Sequence, residues 1–187
     1  IAASGDAPYS NVDELAAYAQ DNDVVLGHFG AGLAPTRVTM ALAHQKGFAF
    51  ASEAAFDALD CNTLASGDVD IINTTLQLIL PCLDQVKVLA SIGGERIALT
   101  PDVPTVAELV PELNVSLWNG LFVRNDTPED VQQKIIEVAR ETVMSDRAQQ
   151  LAQETGALVY WQDADSVRAQ IASDIETLGN IDAMLGN

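Results

Sequence analysis

From Val24 to Ile92, short apolar runs alternate four times with helix-forming stretches, and only a few residues connect them. Strands repeated at this spacing, each pair separated by a helix, cannot be joined as hairpins. Each connection must cross over, and right-handed crossovers lay helices against the faces of a mainly parallel sheet. The pattern predicts an α/β fold.

The punctuation supports this reading. Asn11 with Glu14 three residues on makes a capping box for a helix through about Gln20. Val24 to Leu26 reads as a buried strand, followed by a glycine-rich loop, Gly27-His28-Phe29-Gly30-Ala31-Gly32. Pro35 suits the first turn of the next helix, which runs to Gln45 and stops at Lys46-Gly47. Further strands are expected at Phe48–Ala51, Val69–Asn73 and Val86–Ile92, with helices at about Ala54–Ala65 and Thr75–Leu83. Gly93 to Pro104 has little periodicity and reads as a connecting segment. Thr105 and Glu108 make a second capping box, and Val115 to Val123 is extended and apolar. Thr127-Pro128-Glu129-Asp130 starts a long helix whose apolar stripe is Val131, Ile135, Val138 and Val143. Ser145 caps another helix ending at Gly156. Leu158–Trp161 reads as a short strand and Asp165–Leu185 as a final helix.

Composition narrows the function. The chain has 187 residues and a formal net charge of −18. Residues 1–100 hold 12 acidic and 4 basic side chains and the remainder 15 and 5, so the acidity is a solvated surface spread evenly and not a tail. Such a surface repels nucleic-acid phosphates and anionic lipid headgroups, which excludes both as partners. No apolar run approaches the roughly 20 residues needed to span a bilayer. Ile1 follows no initiator Met or leader, so a mature form or a piece of a longer protein is expected. Two histidines and two cysteines provide no zinc spacing. Cys61 and Cys82 are open to two readings, a buried thiol pair or a disulfide.

The glycine loop is the strongest candidate site. A strand feeding a glycine-rich turn and a helix start presents unpaired backbone N–H groups at a positive dipole end, which suits a carboxylate without any cationic side chain. Thr36 adds a hydroxyl, and Arg37 adds a guanidinium that either pairs with a ligand carboxylate or faces neighbouring acids. Asp70 is read either as a ligand acceptor at a strand end or as a turn cap. His28 adjoins the loop, but no Ser, Cys or paired carboxylate forms a catalytic arrangement with it, and no enzyme activity or cofactor is expected. A dinucleotide site is the alternative, with Glu53 as its ribose-binding acid. The glycines, however, run G-x-x-G-x-G, the reverse of the dinucleotide order.

The order of motifs resembles the receptors of tripartite tricarboxylate transporters, also called Bug receptors. The resemblance is carried by Gly30-Ala31-Gly32 before a helix, Gly67-Asp68-Val69-Asp70, Pro101-Asp102-Val103-Pro104-Thr105-Val106-Ala107-Glu108 after Arg96, Trp118-Asn119-Gly120-Leu121, and Thr127-Pro128. It implies the two-lobed fold of type II periplasmic binding proteins, with residues 1–100 as a ligand-binding lobe. Residues 101–187 would then be a linker and the C-terminal part of the other lobe, whose N-terminal segment has no counterpart here. It also implies an extracytoplasmic receptor that captures a small organic carboxylate or amino acid for membrane transporter subunits, without a cofactor. The implied ligand-binding set is Phe29, Gly30, Ala31, Gly32, Thr36, Arg37, Ser52 and Asp70. The family's valine-proline-tyrosine loop is replaced here by Ala51-Ser52-Glu53-Ala54-Ala55-Phe56. A structural or adaptor relic that binds nothing is the remaining reading.

Overall fold

The computed structural model describes residues 1–186. Five strands form one sheet in the order β3-β2-β4-β1-β5, where β1 is Ala2–Ser4, β2 Val25–His28, β3 Ser52–Ala55, β4 Ile71–Ile72 and β5 Val86–Val88. β2 pairs in parallel with β3 and β4, while β1 runs antiparallel to both its neighbours. β2 to β5 therefore all point one way and β1 alone is reversed, which gives the mainly parallel α/β sheet that the alternation predicts. The sequence reading did not include β1. Its Ala-Ala-Ser sequence has no strand propensity, and it is a strand only because β4 and β5 pair with it from both sides.

Helices cover the two faces. On one lie α1 (Val12–Tyr18), α2 (Ala34–Gln45) and the C-terminal turns of α8 (Ala164–Leu185), packed around Leu15, Val38, Leu42, Leu26, Ile71 and Ile181. On the other, α3 (Cys61–Ser66) and α4 (Leu76–Ile79) enclose Leu59, Leu64, Ile72 and Ile79. Successive strand residues point to opposite faces, so Ile71 belongs to the first core and Ile72 to the second. Val106 on α5 (Val106–Leu109) joins the first core, as do Val110, Leu113 and Val115.

Local capping follows the sequence closely. Asn11 Oδ1 accepts the Glu14 amide at 2.8 Å, although Glu14 Oε2 reaches back to the Ser10 amide and not to Asn11. Thr105 and Glu108 form the full reciprocal box. Arg96 reinforces it, its Nε donating to both Glu108 oxygens at 3.0 and 2.9 Å and its Nη1 to the Pro101 carbonyl. The Arg96 hydrogen bond, with the Thr105 amide, holds the Glu108 carboxyl below its ordinary range. Ser145 caps α7 (Asp146–Thr155), and Asp163 caps α8.

Three expected elements differ. Phe48–Ala51 is the approach to a strand, not the strand: Phe48 and Phe50 pack edge to face and β3 begins at Ser52. The helix expected from Ala54 starts only at Cys61, because Asp60 accepts the Asn62 and Thr63 amides and so sets the first turn there. Leu158–Trp161 has no strand partner and is irregular.

The stretch from Leu117 to Val123 and the helices after it carry a large uncovered apolar surface. α6 (Glu129–Val143) and α7 contain no buried residue, and Leu121 and Phe122 are 75% and 72% exposed. A groove of about 480 Å³ between Leu121, Ile135 and Val138 is open to solvent. Trp118 is the exception: its Nε1 donates to buried Asp174 of α8 at 2.9 Å.

Cys61 and Cys82 are joined as a disulfide, with 6.0 Å between their Cα atoms. It links α3 to the 3₁₀ turn Leu80–Gln85 that leads into β5. Closing a 21-residue separation removes chain entropy from the unfolded state worth about 3 kcal/mol. The double substitution Cys61→Ser/Cys82→Ser is expected to lower unfolding stability by about that amount. A urea titration checks this, and an unchanged midpoint would contradict it.

Candidate ligand-binding site

Parallel strands deliver their C-terminal ends to one edge of a sheet, and the crevice outside that edge is where such folds bind ligands. Here β2 ends in Phe29-Gly30-Ala31-Gly32-Leu33, β3 in Phe56 and β4 in Asn73-Thr74-Thr75. The loop after β2 is shaped by the Gly30 carbonyl, which accepts from the Leu33 amide at 3.1 Å and from Thr36 Oγ1 at 2.8 Å. With that carbonyl turned inward, the amides of Gly30, Ala31 and Gly32 and the first-turn amides of Ala34 and Thr36 have no partner among the described residues. Leu33 at the N-cap has no capping side chain, so the start of α2 is left as open donors.

Neither Gly30 nor Gly32 has a positive φ. A Cβ on Gly32 would meet nothing within 4 Å, so space for a ligand, not backbone strain, is what glycine preserves there. Gly27 is the opposite case. A Cβ there would approach Leu59, Val69 and Ile72 at 3.2–3.4 Å, so Gly27 lets the segments before α3 and β4 pack closely on β2.

Of the residues expected to bind, Phe29, Gly30, Ala31 and Gly32 stand together at this edge, with Phe29 and Leu33 exposed beside them. Thr36 is buried and spends its hydroxyl on the loop itself. Arg37 forms an ion pair with Asp182 on α8. Ser52 and Asp70 are not brought to this edge. Ser52 pairs with Val25 at the start of β3, and Asp70 precedes β4, its Oδ2 accepting the Val25 amide at 2.8 Å. Both therefore sit at the N-terminal end of the sheet, roughly 10 Å of strand from the loop. The displacement follows from the strand boundaries: Ser52 and Asp70 begin strands instead of ending them.

Two residues acquire significance only in the fold. Asn73 extends the β2–β4 register, its amide donating to the Gly27 carbonyl at 2.9 Å. Its side chain donates to the Pro35 carbonyl and to Thr39 Oγ1, which fastens the first turns of α2 to the sheet. The polar run Asn73-Thr74-Thr75 after two isoleucines is the sequence signal that marks this strand end. His28 lies next to Asn73 in that register and faces the same side of the sheet. It is almost fully buried, yet both ring nitrogens lack a hydrogen-bond partner among the described residues. Glu53 Oε2 approaches Nε2 only to 3.4 Å. Glu53 is thus inside β3, opposite Leu26, and not at the strand end that a ribose-binding acid requires.

Among the described residues no group of three His, Cys, Asp or Glu side chains is placed to hold a metal ion, and no helix is long and apolar enough to cross a membrane.

Comparison with known proteins gives a consistent result. The profile described as tripartite tricarboxylate transporter family receptor matches residues 1–186. No curated protein matches the sequence. Among solved structures, Rpa4515 of R. palustris, determined with adipate, superposes with a TM-score of 0.83 at 19% identity. The periplasmic binding protein BugD gives 0.78 at 24%, and a TctC solute binding protein from Polaromonas, without ligand, 0.74 at 19%. Each covers 99% of this chain, which in turn spans 64% of the length of each.

The contrast between the two glycines is testable. Gly32→Val is expected to leave the fold intact, with an unchanged circular dichroism spectrum and melting temperature. Gly27→Val is expected to cost about 1–3 kcal/mol by overpacking against Leu59, Val69 and Ile72. Equal destabilisation by both would mean that the loop is as tightly packed as the strand.

Proposed function

The chain belongs to the tripartite tricarboxylate transporter receptor family, and we propose that it is the ligand-binding part of an extracytoplasmic receptor for a small organic carboxylate. The observation that carries this reading is the set of unpartnered amides of Gly30, Ala31, Gly32, Ala34 and Thr36 at the C-terminal edge of the parallel strands. Donors fixed by the fold bind a carboxylate without reorganising, and the helix behind them adds partial positive charge. The adipate bound by the R. palustris relative is a ligand of this chemical class.

In this reading residues 1–100 form the lobe that carries the loop. Residues 101–187 lead to a second lobe and return, through the C-terminal turns of α8, to the first. The apolar surface of Leu121, Phe122, Ile135 and Val138 is the face on which polypeptide corresponding to the remaining third of the relatives' length packs. Ligand is held between the two lobes and passed to membrane subunits of a secondary transporter. The acidic surface keeps the receptor soluble and off anionic membranes. Capture and release need no chemical conversion, so no catalytic group is required.

A thermal-shift panel of small carboxylates on the full-length receptor tests the proposal. A true ligand at a hundredfold excess over its dissociation constant is expected to add about 2.7 kcal/mol of stability, and Gly32→Val to abolish the shift. A panel with no response, or a shift that Gly32→Val leaves in place, would remove the loop as the binding site.

A further inference from the structure

The inference concerns Phe29 and Leu33 and rests on the carboxylate-binding reading of the loop. Most large apolar side chains of residues 1–100 lie in the two cores, but these two do not: Phe29 is 39% exposed and Leu33 49%. They stand on either side of Gly30-Ala31-Gly32 in the chain. Leu33 also lies against the loop itself, since a Cβ on Gly30 would touch its Cγ and Cδ1 at 3.5 Å. The open amides are therefore bordered by hydrocarbon.

Position 33 is an unfavourable place for leucine. It is the N-cap of α2, where Ser, Thr, Asp or Asn would accept a first-turn amide and add stability. Leucine forgoes that bond and leaves apolar surface in water, and the fold alone gives no reason for either cost. A ligand that covers the leucine while its carboxylate takes the free amides removes both. The polar side chains nearby are already engaged. Thr36 Oγ1 donates to the Gly30 carbonyl, Thr74 Oγ1 to the Leu59 carbonyl at 2.6 Å, and Asn73 Nδ2 to the Pro35 carbonyl and Thr39 Oγ1. His28 is almost fully buried. Thr75, at the head of α4, is the exposed exception. A hydroxyl or amine on the ligand's carbon chain would give up water against Phe29 and Leu33 without gaining a partner there, whereas a methylene gives up nothing.

We propose that Phe29 and Leu33 are specificity-determining residues: they form an apolar seat for the carbon chain beside the bound carboxylate, so this lobe selects carboxylates with an unsubstituted aliphatic or aromatic body. The selection acts on the carbon chain and not on the number of carboxylates, because a further carboxylate lies beyond the seat. Adipate, bound by the R. palustris relative, has such a chain between its two carboxylates. Each methylene buried on the seat contributes about a fourfold gain in affinity, enough to decide between ligands of equal charge.

The test uses the full-length receptor and dicarboxylate probes paired by length and charge. Adipate is set against galactarate, hydroxylated on every inner carbon, and succinate against tartrate. Calorimetric titration of wild-type protein is expected to favour the unsubstituted member of the better-bound pair by about tenfold or more. Leu33→Ala and Phe29→Ala are each expected to weaken that member about fivefold while leaving the hydroxylated one unchanged, and Leu33→Met to keep the preference. Melting temperatures are recorded for every variant, and an alanine variant that fails to fold is replaced by Leu33→Gln or Phe29→Gln, which retain bulk without the apolar surface. If the hydroxylated probes bind as tightly as their partners, or if the variants weaken both members of a pair equally, the apolar seat falls. Should Gly32→Val still abolish binding in that case, the loop reading stands without it. Binding that survives Gly32→Val, or no binding of any probe, removes the loop reading and this inference with it.

Discussion

A strand of two residues, Ile71–Ile72, sits at the centre of the sheet, and the rest of the molecule is placed relative to it. Both residues are fully buried, one in each hydrophobic core. On one side the strand pairs in parallel with Leu26 and Gly27, on the other antiparallel with Ala2 and Ala3. Slipping that register by one residue would exchange the two cores and move the Asn73 side chain off the α2 side of the sheet. Asn73 is what fastens α2, and α2 carries the open amides. The site is thus a consequence of one short pairing, extended by one polar residue.

The electrostatics look contradictory for the proposed capture of an anion, since the chain carries −18. Geometry resolves this. Distant surface charges are screened over about 8–10 Å at ordinary ionic strength, whereas amides at contact act through directed hydrogen bonds. In the proposed reading the acidic surface repels anionic partners and the loop supplies the directed donors. A site of this kind does not compete with the surface field because it does not rely on net charge. Even the Arg37 cation beside the loop is turned to an internal carboxylate.

The two parts of the chain differ in how well they bury their apolar residues. Residues up to about Val115 share two dense cores, whereas α6 and α7 bury nothing, although α6 has a regular apolar stripe of Val131, Ile135 and Val138. A stripe at helical spacing is a commitment to a packing partner. Its exposure here, alongside the extended Leu117–Val123 segment, gives that region the character of one side of a larger interface. The Trp118–Asp174 bond and the burial of Ile181 keep α8 in place across the two regions.

What the sequence by itself determined is the class of fold and the place of the glycine loop. Alternating apolar runs and caps required crossovers, and so a mainly parallel sheet. The glycine loop between a strand and Pro35 required an open helix start at the C-terminal edge. Caps at Asn11, Thr105 and Ser145 were legible because a capping bond spans only three residues. Long-range pairing was not legible. Ala2–Ser4 became a strand only through its neighbours, and Ser52 and Asp70 moved to the far end of the sheet when the strand starts shifted by a few residues. Asp182 came to Arg37 across 145 positions of chain by helix packing alone. Only the tertiary structure could decide these, because they depend on which surfaces meet, and hydrophobic burial selects surfaces without regard to their separation along the chain.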